Sequence, residues 1–530
     1  MASNDSSLSY RRIRAPKEHG STFHLPNAKD WRQLWETNCK SKMSSSGFKL
    51  CDLQQLQATG RQQIIDAAAA FTGKYRDVDL SDRDLETLVL AGHQPTLFHP
   101  GVWYKNFVLS QIGGQTKAIA INLIVDNDVC DSPTAIFPAA AEDANQFIVG
   151  RLDFDSNSNV VPFEARKIQE HKTFESFGQR GCQSVAEFSS APVLKRLWPH
   201  VRAAASNGNL GLAIAGGRHK LEEELGLQTL ELPISAMANS SAFTSLTKEI
   251  LLRIAEFRKA YNQTTAEYRQ LHKIRNLARP VPDLRQDDGW LETPFWIWQE
   301  QSPVRRSLFA KIEQDRLTIS DRNGLERIID VNSSDQEFHS ALTTEICVRP
   351  KALITTMFSR LIAANMFIHG IGGSKYDQLT DEICRKFFGV ELPGYLTVSG
   401  TFLIQQQMPT VSLADIGKLY HQLRELQFHP EQFIEDSNGP AIQLIQEKKN
   451  WLAQELPQGE RLTRHHGIVQ CNEQMQTFVS DTRAELEAKV QKLQSQFATA
   501  KVLNSREFSF CFHDESLVDL LNETAATHFS

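Results

Sequence analysis

At 530 residues the chain is too long for one ordinary core, so two or three structural units are expected. Hydrophobic residues make up 41% and charged residues 23%, the balance of a globular chain, and a net charge of -6 argues against general nucleic-acid binding, which calls for a basic surplus. The first residues, MASNDSSLSYRRIRAPKEHG, have no apolar stretch after their basic ones, and Ala352 to Ile371 is interrupted by Arg360 and Asn365, so neither a secretory signal nor a membrane span is expected. The 8 cysteines form no C-x-x-C pair, which suits free thiols in a reducing cytoplasm and disfavours zinc.

Residues 1–26 read as a flexible arm, followed by helices at Trp31 to Lys40 and Leu53 to Tyr75. The most informative stretch comes next. Thr87 to Ala91 is an uncharged apolar run that suits a strand buried on both faces, and Gly92 breaks it. His93 and Gln94 follow at the strand's carboxyl end, and Pro100-Gly101 opens a helix whose apolar residues spread round the whole wheel, as in a buried helix. Lys105 lies about one turn inside. His93, Gln94 and Lys105 beside a helix N-terminus fit a phosphate or carboxylate, or else a packed crossover in which His93 caps a turn. Lys117 to Val125 reads as a second interior strand, completing a βαβ unit with parallel strands. It ends in Asp126, Asp128 and Asp131, carboxylates fit to hold a ribose, an amine or Mg²⁺, or simply to solvate a loop.

Further along, Gln146 to Phe154 and Val160 to Phe163 read as strands, and Leu210 to Ala215 as a strand running into Gly216-Gly217-Arg218-His219-Lys220, a helix start that fits an anion or, the favoured reading, a tight turn into a surface helix with Glu222, Glu223 and Glu224 in its first turn. Leu246, Ile250, Ile254, Phe257, Tyr261, Thr264 and Tyr268 step by four and three, the stripe of a single long helix from Ser241 to Arg275. Phe295 to Trp298 reads as a strand, Ser307 to Ser320 as a hairpin turning at Gln314-Asp315, and Lys351 to Phe367 as an apolar helix. Gly370, Gly372 and Gly373, then Ser374 and Lys375, resemble a phosphate-cradling turn at a helix start; the P-loop order is absent, and Asp377 points to recognition of something more specific than phosphate. From Leu413 the chain turns helical, with pieces at Leu413 to Gln427, Pro430 to Glu435 and Ala441 to Leu456. A helix is expected from Leu462 to Leu503, with a coiled-coil stripe through Val479, Leu486 and Val490 set to pack on the Ser241 to Arg275 helix or to pair across a homodimer.

The segment GHQPTLFHPGVWYKNF, Gly92 to Phe107, resembles the strand-to-helix motif of the bacillithiol-synthesis cysteine-adding enzymes. Asn504-Ser505-Arg506-Glu507 is similar to that family's Arg-Glu segment, and Gly372-Gly373 to its later Gly-Gly turn. The departures are an acidic stretch, Ile124 to Asp131, without the family's histidine, and a Phe295 to Arg306 region with no counterpart. The resemblance covers a minority of the chain. It implies an α/β fold with a Rossmann-like, nucleotidyltransferase-like parallel-sheet core, connecting helices and an α-helical coiled-coil arm. The core would comprise residues 27–240 and 281–412, the arm 241–280 and 413–503, and 504–530 would dock on the core. The activity it implies is ligation of cysteine to an amine, with ATP or ADP and Mg²⁺ as the activating system and a small molecule and a nucleotide as the partners, in the cytoplasm. His93, Asp126 and Asp128 are then the expected catalytic residues, and Gly92, Gln94, Lys105, Gly370, Gly372, Gly373, Lys375 and Asp377 the expected binding residues. The alternative from another class is a non-catalytic protein that dimerises through its coiled-coil arm.

Overall fold

The computed structural model describes residues 8–10, 12–41, 43, 47–141, 146–156, 160–404, 411–434, 439–455 and 461–529. Most of the expected 1–26 arm is described, and its first seven residues lie outside that set, as does Glu435. The chain divides into two compact units. One comprises Met1–Phe137, Arg151–Ile404 and Arg506–Ser530, the other Pro138–Gly150 and Gln405–Ser505.

The first unit is mixed α/β and is organised by a six-stranded sheet of β1 (Thr22–Leu25), β2 (Asp84–His93), β3 (Ala118–Ile124), β4 (Leu230–Pro233), β5 (Met366–His369) and β6 (Leu396–Gly400). The strands lie in the order β1-β6-β5-β2-β3-β4; β1 runs antiparallel to β6, and every other neighbouring pair is parallel. The chain therefore enters in the middle at β2, moves outward through β3 to β4, and returns to the other side of β2 for β5 and β6. All five parallel strands present their carboxyl ends to one edge, with His93 paired to Ile124 and Ile368 to Ala91.

Every residue of β3 is buried, as in a strand covered on both faces. Between β2 and β3 runs helix α1 (Pro100–Thr116), whose Trp103, Tyr104, Phe107, Val108, Leu109 and Ile112 are all buried, as the all-round apolar pattern predicts. Gly113 lets α1 lie close on the sheet, since a Cβ there would come within 2.7 Å of the Ala120 Cβ. A second, antiparallel sheet is built from Trp290–Gln299, Ser302–Glu313, Arg316–Ser320, Glu326–Asp330 and Ile346–Pro350, and its hairpin turns at Gln314, which has φ +54°. Phe295, Ile297 and Trp298 are buried there, while Trp296 stays partly open.

Several local expectations are corrected. Leu210 to Ala215 is no strand; Leu210–Glu224 is one helix, α2, begun by Asn209, whose side chain accepts from the Leu212 N–H. A short apolar run does not separate strand from helix, and the cap decides it. Gly216 and Gly217 lie inside this helix, and a Cβ on Gly217 would come within 2.5 Å of Val201 on the neighbouring helix Leu194–Ala204. Val160 to Phe163 forms no strand but leads into a single 3₁₀ turn. The apolar helix expected through Phe367 ends early: Ala352–Phe358 widens into a π turn, Ser359–Ala363, and Met366 begins β5. Ser241 to Arg275 is two helices, Ser241–Leu252 and Ile254–His272, which part at Arg253. Their stripe is buried within the first unit's own core.

In the second unit the helix expected from Leu462 to Leu503 is interrupted by the 3₁₀ turn Gln476–Phe478, leaving Arg461–Met475 and Ser480–Leu503. Val479 and Leu486 cluster with Leu426 of Leu413–Phe428, flanked by Leu419 and Leu423. Each of the two long stripes thus finds its partner within its own unit. Among the described residues no helix is long and apolar enough to cross a membrane.

Ile121 is fully buried at the middle of β3. Ile121→Ala is expected to lower stability by about 2–5 kcal/mol, read as a lower midpoint in denaturant unfolding.

Candidate functional site at the carboxyl edge of the parallel sheet

The site begins with the turn between β2 and α1. His99 caps α1, its Nδ1 accepting from the Gly101 N–H at 3.1 Å, and Pro100 occupies the first turn, where a missing N–H costs nothing. Side chains on a helix lean toward its N-terminus, so Lys105 reaches back to β2 and donates from Nζ to the Gly92 carbonyl at 2.7 Å. It is 5% exposed, and among the described residues it has no carboxylate partner. Burial, with the charge of Arg218 added, lowers its pKa to about 8.

On the other side of β2, strand β5 ends at His369 and helix α3 (Ile371–Phe388) starts with Gly370 as its cap. The first intrahelical bond runs from the Ser374 N–H to the Gly370 carbonyl, so the N–H groups of Ile371, Gly372 and Gly373 have no partner inside the helix. A Cβ on Gly370 would lie 4.0 Å from Lys105 Cδ, which places the lysine stem against the start of α3. Gly373 has a packing role as well: a Cβ there would come within 2.7 Å of His369 Nδ1. Gly92, Lys105 and Gly370 therefore meet between β2 and β5, where the strand order reverses.

His93 is held by a chain of buried polar groups. Glu222 Oε1 on α2 accepts from Trp103 Nε1, Asn106 Nδ2 and Arg218 Nη1, each at 2.7 Å. A carboxylate only accepts, so Asn106 must turn its NH₂ toward Glu222 and its Oδ1 toward His93 Nε2, 3.2 Å away. Nδ1 faces the Gln94 carbonyl at 3.2 Å. Burial first, then Arg218 and Lys105, push the His93 pKa well below its ordinary value, so the ring is neutral. Both ring nitrogens therefore face acceptors at the same distance, and the one proton of the neutral ring bonds one of them. Arg218 also pairs with Glu231 on β4, which takes Asn122 Nδ2 at 2.7 Å.

The other expected residues are distributed differently. Asp128 accepts from Gln94 Nε2 and from Arg305 Nη1 at 2.8 Å, joining the strand edge to the second sheet. Asp126 is buried and turns to Ser235, whose N–H donates at 2.9 Å and whose hydroxyl also donates. Burial and then Glu164 raise its pKa well above the carboxylate range, and Glu164 itself pairs with Arg349 at 3.1 Å. Asp377 lies behind the start of α3, accepting from Arg360 at 2.6 Å, His369 Nε2 at 2.9 Å and Thr356 Oγ1 at 2.7 Å. Burial opposes its charge, but Arg360 and His369 outweigh that and hold it well below the carboxylate range. Lys375 contributes its backbone carbonyl to the Tyr268 hydroxyl at 2.8 Å.

Asn106, Glu222 and Arg305 escape the sequence reading as site residues, as do the buried pairing of Arg218 with two glutamates and the Arg506–His99 contact. Arg506 Nη2 donates to Ser399 Oγ at 3.1 Å and lies 3.3 Å from His99 Nε2. The Asn209 cap was the available signal for the first group: it makes α2 a helix, and an i, i+4 pair then joins Arg218 to Glu222. No group of three or more His, Cys, Asp or Glu suited to a metal occurs among the described residues.

No protein-family model matches the chain, and no curated protein is significantly similar to it.

Two outcomes test this geometry. ¹⁵N NMR of wild-type protein should find the His93 ring neutral at pH 7, and an imidazolium there would overturn the effect assigned to burial and the two cations. Asp377→Ala should lower stability by about 3–5 kcal/mol in denaturant unfolding, as expected when a buried arginine loses a carboxylate partner.

Proposed function

We propose that the chain is a nucleotide-dependent ligase that joins a small carboxylate to an amine on a Rossmann-like core. The observation that carries the reading is Lys105, a buried cation without a carboxylate partner, set against the start of the 18-residue helix α3. A helix N-terminus and a lysine in low-dielectric surroundings attract a phosphate. The strand order supports the same reading: taken in order of appearance, the parallel strands run 3-2-1-4-5, the arrangement of doubly wound nucleotide-binding sheets, whose ligands lie in the crevice where the order reverses. The resemblance of Gly92 to Phe107 to the bacillithiol-synthesis cysteine-adding enzymes makes cysteine the first carboxylate to try.

In this reading the carboxylate oxygen attacks the α-phosphorus of ATP, forming an acyl adenylate and releasing pyrophosphate. The amine nitrogen then attacks the acyl carbon, the bond to AMP breaks, and an amide is left. Lys105 and the free N–H groups of α3 hold the phosphate charge in both steps. His93, neutral, donates from a ring N–H to the departing phosphate oxygen, and the proton released by the amine passes to solvent. Asp128, paired with Arg305 and bonded by Gln94, holds the strand end beside them, and Mg²⁺ would arrive with the nucleotide. Asp126, turned to Ser235, serves as a structural support.

A second reading has one observation behind it. Leu413, Tyr420, Leu452 and Leu462 of the helical unit are exposed, 68%, 51%, 55% and 69% respectively, which favours self-association through a coiled-coil-like arm. Light scattering decides it: a concentration-independent monomer removes the dimer.

Calorimetric titration of the full chain with ATP and ADP, with and without Mg²⁺, is expected to show saturable binding that Lys105→Ala weakens at least about tenfold. Lys105 is charged below about pH 8 and neutral above it, so affinity should be highest on the acid side and fall as pH rises through that value. Absence of binding to wild-type protein at any pH defeats the nucleotide reading.

A further inference from the structure

A cavity of about 610 Å³ lies between the end of β3 and the antiparallel sheet, with Asn127 and Asp128 on one wall and Trp296, Arg305 and Lys351 on the other. That is the size of a small-molecule site. Arg305 and Lys351 both lie 4.6 Å from the centre of the Trp296 ring, so the indole holds two cations at the cavity wall.

The hydrogen-bonding capacity of this wall is unequally used. Both oxygens of Glu292 are occupied, Oε1 by Lys351 Nζ at 2.8 Å and Ser307 Oγ at 2.7 Å, and Oε2 by Arg285 Nε at 2.9 Å. Both oxygens of Asp128 are taken as well, by Gln94, Arg305 and the Val129 N–H. The cations are not used up. Arg305 spends only Nη1, on Asp128 and the Asn127 carbonyl, and Arg285 spends only Nε, so their remaining guanidinium N–H groups have no partner among the described residues. The charges of the lining balance, Arg285, Arg305 and Lys351 against Asp128, Asp283 and Glu292, and Arg269, which pairs with Asp283 from outside the lining, leaves the cluster as a whole one positive charge in excess. A pocket whose cations keep spare donors, with a further arginine behind one of its carboxylates, selects an acceptor-rich anion. Two acceptors are left over. Thr265 and Arg269 both bond Asp283 Oδ1, so Oδ2 has no partner among the described residues. Asn127, 4% exposed, donates Nδ2 to the Pro350 carbonyl at 2.7 Å, and its Oδ1 has no partner. Such an orphan calls for a hydroxyl or N–H.

We propose that this cavity is a binding site for a small organic acid, a carboxylate or a phosphate monoester, whose charged group is held by Arg305, Arg285 and Lys351, whose body lies against Trp296 and whose hydroxyl or N–H meets Asn127. It stands independently of a nucleotide at Lys105. If both sites operate, Asp128 connects them, since it bonds Gln94 at the strand edge and Arg305 at the cavity.

The test is calorimetry on the full chain without nucleotide, using succinate for the carboxylate arm and phenyl phosphate for the phosphate arm, with succinamide and phenol as uncharged counterparts. Saturable binding of at least one anion and not of its counterpart is expected, and the arm that binds tells carboxylate from phosphate. Arg305→Gln should weaken it at least about tenfold and Lys105→Ala should leave it unchanged. Arg285, exposed at its outer end, gives a second variant, Arg285→Gln, that carries the test if Arg305→Gln does not fold. The proposal is overturned if neither anion binds wild-type protein, if the cavity variants that fold bind as well as wild type, or if Lys105→Ala abolishes binding and so places both anions at the other site.

Discussion

Arg218 is the residue on which the upper edge of the parallel sheet depends. Its guanidinium is 2% exposed and is shared by Glu222, four residues on in the same helix, and Glu231 on β4. Three buried charges persist in a low-dielectric interior because the two carboxylates bracket the guanidinium and take further donors: Glu222 also takes Trp103 and Asn106, and Glu231 takes Asn122 and the Tyr75 hydroxyl. The partners come from α1, β3 and the turn after the helix Leu53–Thr72, so one ion-pair cluster fixes the mutual position of a helix, two strands and α1. An apolar substitute of the same volume would pack, but it would leave the amide of Asn106 free to turn.

That orientation sets the chemistry of the strand edge. Burial keeps His93 neutral, with Arg218 and Lys105 acting in the same sense, and Asn106 presents its Oδ1 to the ring's Nε2. Lys105 is itself destabilised as a cation by burial and by Arg218. An anion placed beside it would relieve that cost by pairing with the lysine charge.

Sequence revealed the frame of this site more readily than its wiring. The segment from β2 through α1 to β3 was legible because its periodicities are strong: an uncharged run, a broken turn with Pro100, a helix apolar all round and a second apolar run. Strands β5 and β6 were not. Met366–His369 has only 4 residues and follows an apolar helix without a change of composition, so the helical pattern swallows it. Missing β5 hid the meaning of Asp377, whose partners His369 and Arg360 come from that strand and the π turn before it. A carboxylate after glycines reads as a ligand group; the fold makes it a counter-ion. Glu222 misled in the opposite sense, for three consecutive glutamates look like a solvated face, yet Glu222 is buried and its neighbours Glu223 and Glu224 are not.

The two carboxylates after β3 show how little spacing alone decides. Asp126 and Asp128 are separated by one residue, and side chains two apart on an extended chain point the same way. Past Ile124 the strand has ended, and the backbone turns, with the Val125 N–H bonded to the His93 carbonyl and the Asp126 N–H to the Ile124 carbonyl. Asp126 is thereby carried inward to Ser235, where burial and Glu164 favour its protonated form, while Asp128 stays at the surface with Gln94 and Arg305. Only the second keeps its charge where a substrate could meet it. The division of labour between the two acids follows from where the strand stops, and through Arg305 it extends the chemistry of the parallel sheet to the cavity beside Trp296.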